Sequence, residues 1–158
     1  MQLYIMRHGQ ADPMGNIDHL RELTPVGYKE AQCMGKWFND QAVVFDKVLM
    51  SPYARAQQTA KTLLIELNDS VKPETLDFIT PLDNAKQVHD FIDGICGVSE
   101  IEHLLIVSHM PLVSYLVAEL TLEHQSPIFQ TAAIAHINYD VEKMAGSLVK
   151  LISPADLV

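Results

Sequence analysis

The most constraining feature of this sequence is an apolar run within His103-Leu104-Leu105-Ile106-Val107-Ser108. An unbroken apolar run of this length suits a β-strand that is buried on both faces, as happens when helices cover both sides of a parallel sheet. Polar residues end the run at Ser108 and His109, and apolar residues at helical spacing follow Pro111. The segment is therefore predicted to be an inner strand of a parallel sheet.

Strand patterns alternate with helix patterns along the rest of the chain. Thr24-Pro25 and Ser51-Pro52 each place a good N-cap residue before a proline, which predicts that a helix begins at each. The alternation predicts an α/β fold: a single three-layer α/β/α domain over residues 1–158, with a mostly parallel central sheet flanked by helices. The other predicted strands are residues 2–6, 48–50, 74–76, 132–139 and 148–152, and the other predicted helices lie around Val88, Ile92 and Ile95 and after Pro111.

Candidate functional residues follow three of the predicted strands. Arg7-His8 comes after the first strand, Ser51 to Arg55 after the second, and Ser108-His109 after the apolar run. Ligands of open α/β sheets bind at the carboxyl ends of the strands, so these residues are predicted to converge on one crevice. Two of the three segments lead into helix N-termini, which favour an anion.

The charge of the chain limits its partners. The formal net charge is −9, so neither nucleic acid nor an anionic membrane is an expected partner. No apolar run is long enough to span a bilayer, and no signal-peptide pattern is present at the N-terminus.

Cys33 and Cys96 form no ligand or disulfide pattern, and we interpret them as buried thiols in a reducing, cytoplasmic compartment.

Arginines are few and grouped. Of eleven basic residues only Arg7, Arg21 and Arg55 are arginines, and all lie in the first third of the chain. A guanidinium grips phosphate oxygens with a planar fork, whereas a lysine is only a point charge. Three unrelated surface arginines are the alternative interpretation, and for Arg21, in the polar loop 10–23 with its Gly15-Asn16 turn signal, an ion pair with a nearby carboxylate remains open.

Arg7-His8-Gly9 at the end of a first strand resembles the signature of the histidine phosphatase superfamily, which includes the cofactor-dependent phosphoglycerate mutases. The blocks Leu23-Thr24-Pro25-Val26-Gly27, Ser51-Pro52-Tyr53-Ala54-Arg55-Ala56-Gln57-Gln58-Thr59-Ala60 and Ser108-His109 occur in the order and spacing of that family. The start of the chain and the segment Ser108-His109-Met110-Pro111-Leu112-Val113 are similar to the compact bacterial phosphohistidine phosphatases of the SixA type. The resemblance covers the chain from end to end.

The resemblance implies the role of each candidate residue. His8 would attack phosphorus and form a phosphohistidine intermediate that water hydrolyses. Arg7, Arg21, Arg55 and His109 would bind the phosphoryl oxygens, with His109 acting best as an imidazolium. No cofactor and no metal are expected, because the arginines supply the positive charge. The implied substrate is a phosphorylated histidine on the phosphotransfer (HPt) domain of a sensor histidine kinase, and the expected state of the enzyme is a monomer.

One departure from the larger family members concerns the general acid that protonates a leaving oxygen. The corresponding stretch, residues 76–81, has no clear equivalent of that acid; Asp77 and Asp83 are the near candidates, neither of which we favour. A mutase is therefore disfavoured. A phosphatase of small phosphate esters and a non-catalytic phosphohistidine-binding module remain as alternatives. Asp12, Asp18 and Glu22 are expected to be solvated loop charges.

Overall fold

A central β-sheet runs through the protein, and a computed structural model describes residues 1–13 and 17–158. The Gly15-Asn16 turn signal lies outside the described residues. Within them the sheet has six strands in the order β3-β2-β4-β1-β5-β6. The strands are β1 (Gln2–Arg7), β2 (Lys47–Met50), β3 (Glu74–Thr75), β4 (His103–Ser108), β5 (Ile134–Asp140) and β6 (Ala145–Ile152), and the α-helices are α1 (Pro25–Asp40), α2 (Ala54–Leu67), α3 (Ala85–Val98) and α4 (Leu112–Leu120).

The sheet is mostly parallel, as predicted. The four adjacent strands β3, β2, β4 and β1 run parallel to one another, whereas β5 pairs antiparallel with β1 and with β6. The apolar strand β4 lies between β2 and β1, which explains why its residues Leu104 to Val107 are fully buried. The carboxyl ends of β2, β4 and β1 therefore meet side by side.

Apolar side chains form one core on each face of the sheet, which gives the predicted three layers. On one face α1 and α2 contribute Met34, Phe38 and Leu63, and on the other α3 and α4 contribute Ile92 and Leu116. All five side chains are completely buried. Each such side chain stabilises the fold by about 1.5–3 kcal/mol.

The two predicted helix starts have different outcomes. Thr24 is the N-cap of α1, where its hydroxyl accepts from Gly27 N at 3.1 Å, and Pro25 is the first helical residue. The prediction for Ser51-Pro52 is wrong, because α2 begins at Ala54 and its N-cap is Tyr53. The hydroxyl of Ser51 instead contacts His109, which is far away in sequence.

Two further sequence expectations concern the thiols and the polar loop. Cys33 and Cys96 are free, as expected, but they are half-buried rather than buried. The loop contains a short 3-10 helix at Asp18–Leu20, and Ala11 pairs with Leu23 across its base. Among the described residues, no helix has the length and apolarity that a membrane span requires.

Candidate active site

Three neighbouring strand ends build the site. The register places Arg7 of β1 beside Ser108 of β4, and Val107 of β4 beside Met50 of β2. Two backbone hydrogen bonds continue this pairing past the strands, from His8 N to Ser108 O and from Ser51 N to Val107 O, both at 3.0 Å. The segments predicted to converge therefore do so.

His8 is held as a neutral imidazole in one tautomer. Its Nδ1 lies 2.7 Å from the carbonyl oxygen of Gly9, which can only accept, so Nδ1 carries the hydrogen. The pKa of His8 is lowered to about 3, chiefly by burial and in smaller part by the Arg55, Arg7 and Arg21 charges, against the opposing effect of the Gly9 hydrogen bond. The Nε2 lone pair is consequently free of a proton at neutral pH.

The backbone beside His8 is locked to two helices. Gly9 N donates to Thr59 Oγ1 at 3.0 Å, and that hydroxyl donates to Arg55 O at 2.7 Å within α2. A Cβ atom at Gly9 would lie 2.7 Å from the carbonyl oxygen of Gly27 in α1. The close approach to α1 explains why a glycine follows His8.

Arg55 lies in the first turn of α2 and points at His8. Its Nε donates to His8 Nε2 at 3.2 Å, and the guanidinium lies 5.2 Å from the centre of the Tyr53 ring. The terminal nitrogens donate to the Asp18 carbonyl oxygen at 2.7 Å and to Asp18 Oδ2 at 3.3 Å. Each terminal nitrogen carries two hydrogens, so one on each remains for another acceptor.

Arg7 approaches from the end of β1. One terminal nitrogen donates to the carbonyl oxygen of Phe129 at 2.8 Å, while Nε is buried and has no hydrogen-bond partner among the described residues. Burial lowers the pKa of Arg7, with a smaller contribution in the same direction from Arg55 and an opposing one from Glu30. Two guanidinium groups thus share the site, which suits an anion.

Arg21 reaches this cluster through Asp18. Its terminal nitrogen lies 2.9 Å from Asp18 Oδ1, and its Nε donates to the Asp12 carbonyl oxygen at 2.8 Å. The ion pair left open for Arg21 is therefore present, but its carboxylate partner also bonds Arg55. Asp18 is exposed, as expected of a solvated loop charge, but it also joins both arginines. Hydrogen bonds and charges of both arginines lower the pKa of Asp18 despite an opposing desolvation effect.

His109 faces His8 across the site. The two ring centres are 5.1 Å apart, and His109 is only 1% exposed. Its Nε2 lies 2.7 Å from Ser51 Oγ, and its Nδ1 is buried with no partner among the described residues. Burial is the main cause that lowers the pKa of His109 to about 2, with smaller contributions in the same direction from His8, Arg55 and Arg21 and an opposing one from Asp18. His109 is therefore neutral in this structure, which differs from the imidazolium expected when it donates to a phosphoryl group.

Sequence reasoning gave none of three polar residues its role in the site. Ser51 and Thr59 both lie in the Ser51-to-Ala60 block, and that position is the signal that could have identified their roles. Asp18 has no comparable signal, because it lies in an irregular polar loop 37 residues from Arg55.

Of the two candidates for a general acid, one is engaged in hydrogen bonds and the other is exposed to solvent. Asp83 Oδ2 accepts from the Thr80 backbone nitrogen at 2.7 Å and also from its hydroxyl, while Asp77 is exposed. In residues 1–13 and 17–158, no group of three or more His, Cys, Asp or Glu side chains is arranged to hold a metal ion.

Comparisons with known proteins agree with this geometry. Residues 3–80 match the histidine phosphatase superfamily (branch 1). The chain is 36% identical over 157 residues to the phosphohistidine phosphatase SixA of Escherichia coli K12, covering 99% of this chain and 96% of that protein. It is also 36% identical over 150 residues to the SixA homolog of Haemophilus influenzae, covering 90% and 91%.

A solved structure supports the same relationship. The protein histidine phosphatase SixA complexed with tungstate superimposes with a TM-score of 0.95 at 36% identity, covering 100% of both chains. This similarity over the full length confirms the resemblance that begins at Arg7-His8-Gly9. The chain belongs to the histidine phosphatase superfamily.

Proposed function

We propose that this protein is a phosphohistidine phosphatase that removes the phosphoryl group from a histidine on the HPt domain of a sensor histidine kinase. The observation that carries the proposal is the state of His8: Nδ1 is tied to Gly9 O at 2.7 Å, so Nε2 presents a lone pair beside two arginines. The full-length relatives are named phosphohistidine phosphatases, and one was solved with tungstate, a tetrahedral oxyanion like phosphate.

The reaction takes two displacements at phosphorus. In the first, His8 Nε2 forms a bond to phosphorus, and the phosphorus–nitrogen bond of the substrate breaks with its electron pair leaving on the substrate imidazole. In the second, water attacks phosphorus, the bond to His8 breaks, and the water loses a proton as inorganic phosphate forms. In the intermediate the His8 ring is bonded to phosphorus at Nε2 and to hydrogen at Nδ1, so it carries a positive charge, which the negative phosphoryl oxygens and the bond to Gly9 O offset. His8 returns to its neutral form when the second displacement releases Nε2.

The arginines stabilise the charge on the three non-bridging oxygens. Among the described residues, Arg55 keeps one hydrogen on each terminal nitrogen without an acceptor, and the buried Nε of Arg7 has no partner. These donors are already oriented before substrate binds, which is the condition under which electrostatic stabilisation is strongest. Arg21 adds a third positive charge near the site, where its ion pair with Asp18 holds it. This donor set supports a metal-independent mechanism, with His109 as a further donor.

Two other functions compete with this proposal. A phosphatase of small phosphate esters would use the same arginines but would need an acid for the leaving oxygen, and Asp77 and Asp83 are poor candidates for that role. A phosphohistidine-binding module would not need an uncharged nucleophile aligned by Gly9. We place the enzyme in the cytoplasm as a monomer, in agreement with its free thiols.

The deciding experiment is phosphate release from a phosphorylated HPt domain, measured beside a panel of sugar phosphates, with and without a chelator. The proposal expects rapid turnover of the phosphohistidine protein, slow turnover of the sugar phosphates and no effect of the chelator. Binding of the phosphorylated domain without phosphate release would identify a binding module. Faster turnover of a sugar phosphate would identify an esterase, and activity restored only by a divalent ion would overturn the metal-independent mechanism.

A further inference from the structure

The hydrogen atoms around Ser51 can be assigned from its contacts. Ser51 is fully buried, and its Oγ accepts from the Tyr53 backbone nitrogen at 3.2 Å. Its other contact is His109 Nε2 at 2.7 Å. A hydroxyl group has one hydrogen to donate, and a buried donor without an acceptor destabilises the protein by about 1–3 kcal/mol.

Only one direction of the bond between Ser51 and His109 satisfies that hydrogen. If His109 Nε2 carried a proton and donated it to Oγ, the serine hydrogen would have no acceptor among its described contacts. If the hydroxyl donates to Nε2 instead, Oγ still accepts from Tyr53 N, and Nδ1 of His109 is the one polar atom of the pair without a partner among the described residues. Nε2 is therefore the nitrogen of His109 that accepts a hydrogen bond, and Ser51 is the donor.

The second ring nitrogen must then carry the hydrogen. His109 is neutral because burial holds its pKa at about 2, so the remaining proton is on Nδ1. That nitrogen is the buried, unpartnered one, and the ring that bears it lies 5.1 Å from the His8 ring. A hydrogen there can bond a phosphoryl oxygen, whereas a lone pair there would repel it.

We infer that Ser51 is a positioning residue, whose hydroxyl fixes His109 in the Nδ1–H tautomer so that a neutral imidazole donates to the phosphoryl group. The inference rests on the proposed function for its catalytic meaning, because it assigns the donor that contacts the transferring phosphoryl. It removes the need for an imidazolium, because the hydrogen bonds run in one order, from Tyr53 N–H to Ser51 Oγ and from Ser51 O–H to His109 Nε2, and leave Nδ1–H as the donor.

The test combines nuclear magnetic resonance with kinetics. Two-bond ¹H–¹⁵N correlations at pH 7 distinguish the two neutral tautomers and the imidazolium, and the signals of His109 are identified by their loss in His109→Gln. The kinetic arm measures kcat, KM and vanadate inhibition for Ser51→Ala, Ser51→Thr and the control Thr121→Val. Thr121 is a suitable control because its buried hydroxyl bonds only the Val117 carbonyl oxygen of α4 among its described contacts, at 2.7 Å.

The expected results separate positioning from general stability. The wild-type protein should show the Nδ1–H tautomer, and Ser51→Ala should lose it as the population of Nε2–H rises. Its kcat should fall about ten- to a hundredfold, the size seen when the outer hydrogen-bond partner of a ligating histidine is removed, with vanadate inhibition weakened and KM changed less. Ser51→Thr should restore the tautomer and most of the rate, and Thr121→Val should keep both.

Two results would overturn the inference. One is an Nε2–H tautomer or an imidazolium at His109 in the wild-type protein, which remains decisive if Ser51→Ala does not fold. The other is a Ser51→Ala protein with wild-type tautomer and kcat. Lack of phosphohistidine turnover by the wild-type enzyme would refute the proposed function but not the tautomer assignment, because the spectra need no substrate.

Discussion

Arg55 Nε donates a hydrogen bond to His8 Nε2 at 3.2 Å, so a permanently charged guanidinium is bonded to the nitrogen that is proposed to attack phosphorus. The bond requires a lone pair on Nε2, and the bond from Nδ1 to Gly9 O requires a hydrogen on Nδ1. Both contacts select the same neutral tautomer. The nucleophile is therefore prepared by two groups, one on each nitrogen, before any substrate arrives.

The first prediction concerns the nucleophile. His8→Ala should abolish phosphohistidine turnover, because removing a nucleophile lowers kcat by up to about 10⁶-fold. The wild-type enzyme quenched during turnover should carry phosphate in an acid-labile, base-stable linkage, as a phosphorus–nitrogen bond is. Circular dichroism would verify that the variant is folded. Turnover by a folded His8→Ala protein at the wild-type rate would refute the mechanism.

Lysine should not substitute for Arg7 or Arg55 in binding the phosphoryl oxygens. Arg55→Lys keeps the charge but loses the Nε bond to His8 and the fork, and Arg7→Lys loses the unpartnered Nε. Loss of one donor to the transition state costs about 2.7–4 kcal/mol, so each variant should be roughly a hundred to a thousand times slower. Steady-state kinetics measure this, and near wild-type rates in either variant would show that the phosphate site is wrongly assigned.

Asp18 should have a smaller effect. Its carboxylate orients Arg55 and Arg21, but its side chain is 56% exposed, so solvent limits the ion pairs to at most about 1 kcal/mol. Asp18→Ala should therefore lower kcat/KM by no more than about fivefold. Glu22→Ala is the matched control, since this exposed carboxylate of the same segment bonds Gln58 instead of an arginine. A hundredfold loss would mean that Asp18 takes part in the chemistry.

The buried histidines should make the protein sensitive to acid. The pKa of His8 is lowered to about 3 and that of His109 to about 2, whereas an unfolded histidine titrates near 6.5. The unfolded chain thus binds more protons as pH falls below about 6.5, and folding stability decreases from there toward pH 3. Each histidine contributes a slope of about 1 kcal/mol per pH unit.

Denaturant unfolding between pH 7 and pH 4 tests this dependence. His8→Gln and His109→Gln should each have a shallower decline in the free energy of unfolding than the wild-type protein. Identical slopes in all three proteins would show that these histidines protonate in the folded state. The same pKa values predict that neither histidine takes up a proton between pH 8 and pH 5.

The sequence predicted the placement of the site better than its internal contacts. Periodicity and the apolar run at β4 located the strands, and the rule for parallel sheets then brought His8, Arg55 and His109 together. Thr24-Pro25 marked the start of α1 because a cap acts on residues three positions away. These features depend on local sequence or on sheet topology, and both can be predicted from the pattern of apolar and capping residues along the chain.

Contacts between distant residues were not predictable in the same way. Ser51 has the residue type and following proline of a helix cap, yet its hydroxyl bonds His109, 58 residues away. Asp18 looks like any loop carboxylate until the fold brings Arg55 beside it. The charge of His109 could not be predicted from the sequence, because it depends on burial and on the nearby side chains of His8, Arg55 and Arg21. Their positions are known only once the chain is folded.

The last prediction is a preference for phosphorus–nitrogen bonds. An alkoxide leaving group is strongly basic, so cleavage of an alkyl phosphate demands a proton from a positioned acid. Phosphohistidine differs, because its imidazole can already carry a proton on the second nitrogen near neutral pH and then leaves as a neutral ring. The site unites His8, Arg7, Arg55 and His109, and the two candidate carboxylic acids are occupied by Thr80 or exposed.

Rates per enzyme on a phosphorylated HPt domain and on glycerol phosphate measure that preference directly. We expect the phosphohistidine protein to react much faster, and Asp77→Asn and Asp83→Asn to leave its rate unchanged. Asp83→Asn also has a structural readout, since a neutral amide oxygen accepts the two bonds from Thr80 more weakly than a carboxylate does, which should lower the melting temperature without lowering kcat. Comparable rates on the two substrates, or collapse of phosphohistidine turnover in either variant, would reveal a general acid in this stretch and remove the physical basis for the preference.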